Sequence, residues 1–401
     1  MRISDSQPPV LRQFSVRAVI DVLLHQGPTS RADLAKITGL SKQTMSEVIR
    51  ALEEGGWVRE RGKTGGHVGR RAVTYEIDPD AGYVAGIDFG VSSLRAVLAD
   101  LSGRVLVEVA EQATPRPPEE PLSQLHLMLQ GLIRKAELAP EKLLFAAVAM
   151  PGVIDPESGR LALAPNLEDM SGFDIAGALS ERLGCDVAVE NDINAGALGE
   201  AWLGEADRGG TFAFVSLGAG VGLGLLVNGK LMRGSSGAAG EIGFLPFGAD
   251  PTAPESLKRG TLESALGTKA ILEAYVREGG SPFATVANLF EQARAGQKAA
   301  VSIVGQVADL AALTIVAVSA FADPGKIVVG GPIGRQPILL PLIRESLKKI
   351  TARKPLIEAS RLGERAILMG AMAIALQQTH NLLFSPHSLP TDINLPAPPR
   401  G

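Results

Sequence analysis

The 401-residue chain has one cysteine, Cys185, so no disulfide can form within it, and a reducing cytosol is the compartment this usage fits. Cys185 sits just before an apolar stretch and reads as a small packed residue rather than a reactive thiol. Histidine is also scarce: the five residues, at 25, 67, 126, 380 and 387, are scattered, and no Cys/His group has zinc spacing. Aromatic residues make up only 4%. Long hydrophobic runs are missing. The longest, Leu310–Ala322, is bounded by Asp309 and Asp323 and falls short of the ~20 residues a membrane span needs. The opening MRISDSQPPV has no apolar signal core. A strong excess of charge is absent too: the net value is −4, so the molecule as a whole is no polyanion binder by charge alone. Together these absences argue against a disulfide-stapled fold, a zinc finger and a membrane protein.

What is present is 45% apolar and 20% charged residues, the balance of a globular protein with a sizeable core, in a chain long enough for two or three domains. The charge is uneven. Residues 1–80 carry 12 Lys+Arg against 10 Asp+Glu, leaving 27 against 33 for the remainder. A slightly basic front on an acidic body hints at nucleic acid at one end.

Residues 10–54 read as three helices. Val16, Val19, Ile20, Leu23 and Leu24 recur at helical spacing. Gly27-Pro28 ends that helix. Ser30, with Asp33 three residues on, caps a short second helix, Arg31–Thr38, whose apolar face is Leu34, Ala35 and Ile37. Gly39-Leu40 turns the chain, and Ser41 caps a third helix with Met45, Val48, Ile49 and Leu52 inward. This is a helix-turn-helix pattern. The start of its second helix reaches base edges, which assigns Ser41, Lys42, Gln43 and Thr44 to DNA contact, with Ser46 and Arg50 a turn or two along. Strands at Gly56–Val58 and Thr74–Ile77 enclose residues 59–71, which hold five basic residues and one acidic one. A Gly/Arg-tipped hairpin after a helix-turn-helix is a wing, and Lys63, Arg70 and Arg71 are its candidate DNA contacts. The bland alternative is a three-helix bundle with a solvated polar face.

Beyond Asp78-Pro79-Asp80 a strand–turn–strand unit occurs twice. Tyr83–Ile87 runs into Asp88-Phe89-Gly90-Val91-Ser92 and a second strand. Phe212–Leu217 runs into a turn with glycines at 218, 220, 222 and 224 and a second strand that ends at Asn228-Gly229, a hairpin signal. Asp88-x-Gly90 aligns with Ser216-x-Gly218. A unit met twice implies two related lobes whose glycine turns face each other across a cleft. The glycines do not fit the dinucleotide fingerprint and lie between strands, so they read as phosphate-type hairpins. A buried-type strand, Val187–Val189, delivers Glu190, Asn191 and Asp192 at its carboxyl end, where α/β sheets bind ligands. Ala195, Ala197 and Ala201 follow at helical spacing and allow close helix packing. Asn166 sits in a loop as an available amide. Helices are expected over Ile175–Leu183, Thr261–Glu278, Thr285–Ala295, Ala299–Ala322, Ile338–Ala352 and Gly363–His380. Ile327–Val329 is a strand running into Gly330-Gly331-Pro332. The Pro-rich segment 385–401 reads as a poorly ordered tail.

These strings in this order resemble the ROK family (repressors, open reading frames, kinases), in its winged-helix, sugar-responsive branch. SRADLAKITGLSKQTMSEVIRALEEGGWVRE, DFGVSSLRAVLADLSG, MPGVID, PNLEDM, VENDINAGALGE, LGAGVGLGLLVNG, AAGEIG, TLESALG and DPGKIVVGG carry the likeness from about residue 10 to 380. The resemblance implies an α/β fold: a winged helix-turn-helix at 1–80, then an actin-like, hexokinase-type body. Its first lobe would span 81–193, with a helix at 364–383 returning to it; its second would span 194–363, and 384–401 would be the tail. It places the sugar on Asn166, Asn191, Asp192, Glu241 and Glu263, with Asp192 at the position of the general base in family kinases. Asp88, Gly90, Ser92, Gly218, Gly220, Gly330 and Gly331 fall on phosphate-binding positions, in degenerate form. The family's zinc would need ligands where this chain has Phe244, Pro254, Ser256 and Thr261, so no zinc and no other cofactor is expected, and Phe244 adds an apolar wall to the sugar site.

Two functions are weighed. The first is a transcriptional repressor of carbohydrate genes with a non-catalytic body that senses a sugar or derivative. It would work as a homodimer or homotetramer on an inverted-repeat operator, with no membrane partner. The second is an ATP-dependent sugar kinase carrying a DNA-binding module. Against it, Val91 and Ser93 stand where kinases favour Gly-Thr-Lys, and Pro332 replaces a glycine and removes an N–H.

Overall fold

Three helices and a small sheet come first in the computed structural model, which describes residues 10–63, 72–90, 93–113, 119–155, 160–163, 172–204 and 210–384. They are α1 (Val10–Gln26), β1 (Thr29–Ser30), α2 (Arg31–Thr38), α3 (Lys42–Glu54), β2 (Val58–Lys63) and β3 (Val73–Ile77). Ser30 Oγ accepts the Asp33 N–H at 3.2 Å and donates to the Asp33 carboxylate at 2.6 Å. Gly39 takes φ +71°, a left-handed conformation that costs glycine little. Ser41 Oγ then accepts the Thr44 N–H at 3.1 Å and starts α3. Met45, Val48, Ile49 and Leu52 bury against Val19, Ile20, Leu23 and Leu34, as the periodicity requires. Ile37 departs from expectation and is 46% exposed. α2 stops one residue later, and its last turn stands clear of the core. The sheet has the order β1-β3-β2, so β2 and β3 are the stalk of a wing. The wing tip at 64–71, with Arg70 and Arg71, lies outside the described residues, as does the Lys63 side chain.

The body begins with β4 (Tyr83–Phe89), β5 (Ser93–Asp100), β6 (Val105–Gln112), α4 (Glu119–Lys135), β7 (Leu143–Met150), β8 (Val153–Ile154), β9 (Leu161–Leu163), α5 (Ile175–Leu183) and β10 (Asp186–Asn191). The helix α6 (Asp192–Leu203) leads to β11 (Thr211–Leu217), β12 (Val221–Val227) and β13 (Lys230–Leu231). Then come α7 (Pro254–Arg259), α8 (Glu263–Leu266), α9 (Thr268–Arg277), α10 (Val286–Arg294), α11 (Lys298–Ala322), β14 (Lys326–Gly330), α12 (Gly331–Gly334), α13 (Leu339–Ile350), β15 (Ile357–Ala359) and α14 (Ala366–Phe384).

The sheet orders are β6-β5-β4-β7-β10 and β13-β12-β11-β14-β15. In each, an antiparallel hairpin carries a third antiparallel strand on one side and two parallel strands on the other. The lobes are therefore topological copies, and Asp88 and Ser216 hold the same place one residue before the end of the central strand. The repeat expected from Asp88-x-Gly90 and Ser216-x-Gly218 is thus a repeat of architecture.

Further expectations need correction. The strand read as buried, β10, is not: it pairs with β7 alone, and Val187, Ala188 and Val189 are half-buried, because an edge strand has one open flank. The helix expected over Thr261–Glu278 is two. It breaks at Gly267, whose extended backbone lets the Thr268 N–H donate to Gly218 O at 2.8 Å and tie α9 to the glycine turn. α11 is, among the described residues, the one helix long and apolar enough to cross a membrane; Ile303, Val304, Val307, Ala311 and Ile315 are buried in the second lobe's core.

α6 and α14 cross backbone to backbone. A Cβ on Gly370 would lie 1.7 Å from Ala195 O, and one on Gly199 would lie 2.1 Å from Ala366 O, so only glycine fits either place. The far end of α14 runs under the winged helix. Arg17 donates to Asn381 at 3.1 Å, the Trp57 and Phe384 rings meet edge to face at 5.6 Å, and His380 Nε2 lies 2.9 Å from Leu101 O. Phe384, placed in the tail by the sequence reading, is the buried last residue of α14. Head and first lobe share one continuous core.

Candidate functional site

A cleft of about 490 Å³ separates the lobes, within the range of roughly 300–1,000 Å³ usual for small-molecule sites. Asp88, Asn191, Asp192, Gly218, Gly220, Glu241, Glu263 and Gly331 all line it, together with Gly90 and Phe244. Gly330 does not; its Cα faces the Phe214 ring, 2.5 Å from where a Cβ would be. Asn166 and Ser92 lie outside the described residues.

The carboxylates converge because both sheets end here. β10 delivers Asn191, which caps α6 by accepting the Asn194 N–H at 3.0 Å and donates to Gly152 O at 2.9 Å. Its amide is thus held in place between two elements. Asp192 opens α6, and its carboxylate accepts the Ile193 N–H at 2.8 Å. Burial pushes Asp192 up to about 6, against the pull of that N–H, and the nearby Glu241 adds to the rise. Burial also raises Glu241 and Glu263, the latter opposed by the Val221 N–H, which it accepts at 3.2 Å, and by Arg259. Gly220 must lack a side chain for that contact, since a Cβ would sit 2.7 Å from Glu263 Oε2. Asp88 is only 7% exposed; burial and the charge of Asp192 push it up to about 7, with Arg95 opposing. Carboxyl groups whose values burial raises can exchange hydrogen bonds with ligand hydroxyls.

Both glycine turns are closed on themselves. Gly90 N–H donates to Ser93 O at 2.9 Å, and Gly218 N–H to Gly220 O at 3.0 Å. The Pro332 ring stands 3.0 Å from the Cβ position of Gly218. A phosphate chain seeking those backbone donors meets occupied N–H groups and a pyrrolidine ring.

Of the residues that the resemblance sets at zinc positions, Phe244 is 42% exposed on the cleft wall, Pro254 begins α7, and Ser256 and Thr261 are buried. A phenyl ring, a pyrrolidine and two hydroxyls do not fit zinc. Among the described residues no group of three or more His, Cys, Asp or Glu could hold a metal.

Sequence reasoning missed the other end of the cleft. Arg95 on β5, Arg335 after α12 and Glu364 before α14 line it as well. Arg95 donates to the Glu364 carboxylate at 2.7 Å and to its carbonyl at 2.9 Å, and Arg335 pairs with the other carboxylate oxygen. A lone basic residue inside the apolar strand SLRAVLAD was the available signal.

On the head, Lys42, Gln43 and Arg50 are exposed, and Thr44 and Ser46 are half-exposed. Ser41 is committed to its cap, Ser46 to Lys42 O at 2.9 Å, and Gln43 leans on Glu47 at 3.2 Å.

The ROK family profile matches residues 84–378, and a MarR family profile matches residues 14–67. The xylose repressor of Caldicellulosiruptor bescii is 26% identical over 388 residues, 92% of this chain and 96% of that protein. Among solved structures, a ROK family transcriptional regulator homologous to the E. coli Mlc protein superimposes with a TM-score of 0.75 at 22% identity, over 94% of this chain and 98% of the other. A ROK family glucokinase from Streptomyces griseus, solved with glucose and AMPPNP, matches with a TM-score of 0.63 at 24% identity, over 74% and 100% of the two chains. Both show the fold.

Proposed function

Since the chain belongs to the ROK family and carries a winged helix in front of its two-lobed body, we propose that it is a DNA-binding repressor of carbohydrate-metabolism genes whose body senses a sugar or derivative without phosphorylating it. The observation that carries this is α14. Ala366 and Ile367, at its start, line the cleft, and Phe384, at its end, packs under Trp57 of the head. A ligand in the cleft and DNA on α3 thus act on one rigid element.

The mechanism has two states. Lys42, Gln43 and Arg50 face a major groove, and a homodimer sets two heads at the spacing of an inverted repeat. A sugar between Asp192, Glu241 and Glu263 favours one lobe angle, and it shifts DNA affinity only by its differential affinity for the two states. The named relative and the polyol-suited carboxylates make pentoses and hexoses the first ligands to try. The occupied glycine-turn N–H groups and Pro332 support a body that does not transfer phosphate, and Phe244, Pro254, Ser256 and Thr261 support one that works without zinc.

The test is operator binding by gel shift across a sugar panel. The parent should bind and respond to a sugar, and Asp192→Asn should bind equally and not respond. Measurable ADP release with any sugar, lost in Asp192→Asn, would instead establish the kinase.

A further inference from the structure

Glu241 and Phe244 frame one turn of 3-10 helix, Ile242–Phe244, in which the Phe244 N–H donates to Glu241 O at 3.2 Å. Residues three apart eclipse in such a turn, so carboxyl and phenyl ring lie on one side of it, and both line the cleft. The turn is braced from behind. A Cβ on Gly260 would lie 2.3 Å from Gly243 O and 2.8 Å from Phe244 N, and one on Gly243 would lie 3.4 Å from Glu263 Cβ. Two aromatic side chains, Phe214 and Phe244, line the cleft among the described residues; Phe214 is 2% exposed and Phe244 42%, so the open aromatic surface belongs to Phe244. Arg259 lines this end as well, but it pairs with Glu255 at 2.9 Å and acts on Glu263 as a nearby positive charge, so its own charge is balanced within the protein. A ligand hydroxyl laid on the ring would leave water and gain no partner there. An apolar group in the same place gains by leaving water.

We propose that the ligand of this cleft is a sugar with an apolar group beside a free hydroxyl: the apolar group packs on Phe244 and the hydroxyl bonds to Glu241. The group is a methyl in place of a hydroxymethyl, as in a deoxy sugar, or an alkyl or aryl group on a glycosidic oxygen. Phe244 is then the specificity-determining residue, because it rewards the ligand for lacking a hydroxyl where the neighbouring carboxyl rewards having one. The assignment rests on the sensing role proposed above and names the class of ligand sensed.

Isothermal titration of the full chain tests this with matched sugars: galactose and 6-deoxygalactose, mannose and 6-deoxymannose, and glucose and xylose each with its methyl and phenyl β-glycoside. At least one sugar with the apolar group should bind about fourfold or more tighter than its fully hydroxylated partner, the gain expected for one methyl carried out of water. The deoxy pairs and the glycoside sets tell the two sources of that group apart. Phe244→Leu should keep the margin, since an apolar side chain remains, and Phe244→Asn should cancel or reverse it. Equal binding within every set, as when the ring stacks on the C–H face of any sugar, would overturn the assignment whether or not the variants fold. So would a margin that Phe244→Asn leaves intact. Either result leaves the sensing role standing; no binding by any sugar, the fully hydroxylated ones included, would sink that role and this assignment with it.

Discussion

Replacing Asp88 by asparagine tests whether the cleft holds charge at a cost to stability. Asp88 is 7% exposed and has its carboxyl raised from 3.8 to about 7 by burial and by Asp192. A carboxyl whose folded value is raised favours folding only while protonated. That stability is fully present below 3.8 and is lost as pH rises through about 7. A rise of about 3 units at about 1.4 kcal/mol each amounts to about 4 kcal/mol. Asparagine has the same shape and no charge. The variant should match the parent near pH 4 and gain up to about 4 kcal/mol at pH 8, roughly 5 °C in melting temperature for a chain of 401 residues. Thermal melts by circular dichroism at both pH values are the assay. A variant no more stable than the parent at pH 8 would refute the burial argument, and a gain equal at both pH values would assign the effect to packing rather than charge.

Two further outcomes follow from the fold. Gly370→Ala must force α6 and α14 apart, because its Cβ would fall 1.7 Å from Ala195 O; a loss of about 2 kcal/mol or more is expected by denaturant unfolding, and none is expected for Gly305→Ala, where a Cβ meets nothing within 4 Å. Gln43→Ala should change which operator bases are preferred by about 1–3 kcal/mol at one position, with the salt dependence unaltered, in a binding-site selection experiment.

Much of the fold was legible because its signals are local. Ser30 and Ser41 announce helix starts, Asn228-Gly229 announces a two-residue hairpin, and the Met45, Val48, Ile49, Leu52 stripe announces the inner face of α3. Tertiary facts were less so. Val187–Val189 has the composition of a central strand, yet lies at an edge, because composition does not say how many neighbours a strand has. The break at Gly267 serves a hydrogen bond to Gly218, 49 positions earlier, which no window of helical periodicity contains. The carboxylate end of the cleft was read from the family's motif strings. The arginine end was not, since Arg95, Arg335 and Glu364 are far apart in sequence and meet only when two lobes and a helix start converge.

The crossing at Gly370 also sets a scale for signalling. From there to Phe384 α14 rises about 21 Å, so a tilt of about 5° at the crossing carries the far end sideways by about 2 Å. Two heads facing each other would change their separation by about 4 Å, slightly more than the 3.4 Å step between stacked nucleotides. In the proposed dimer, a few degrees in the body would therefore be enough to slip a recognition helix out of register with its half-site.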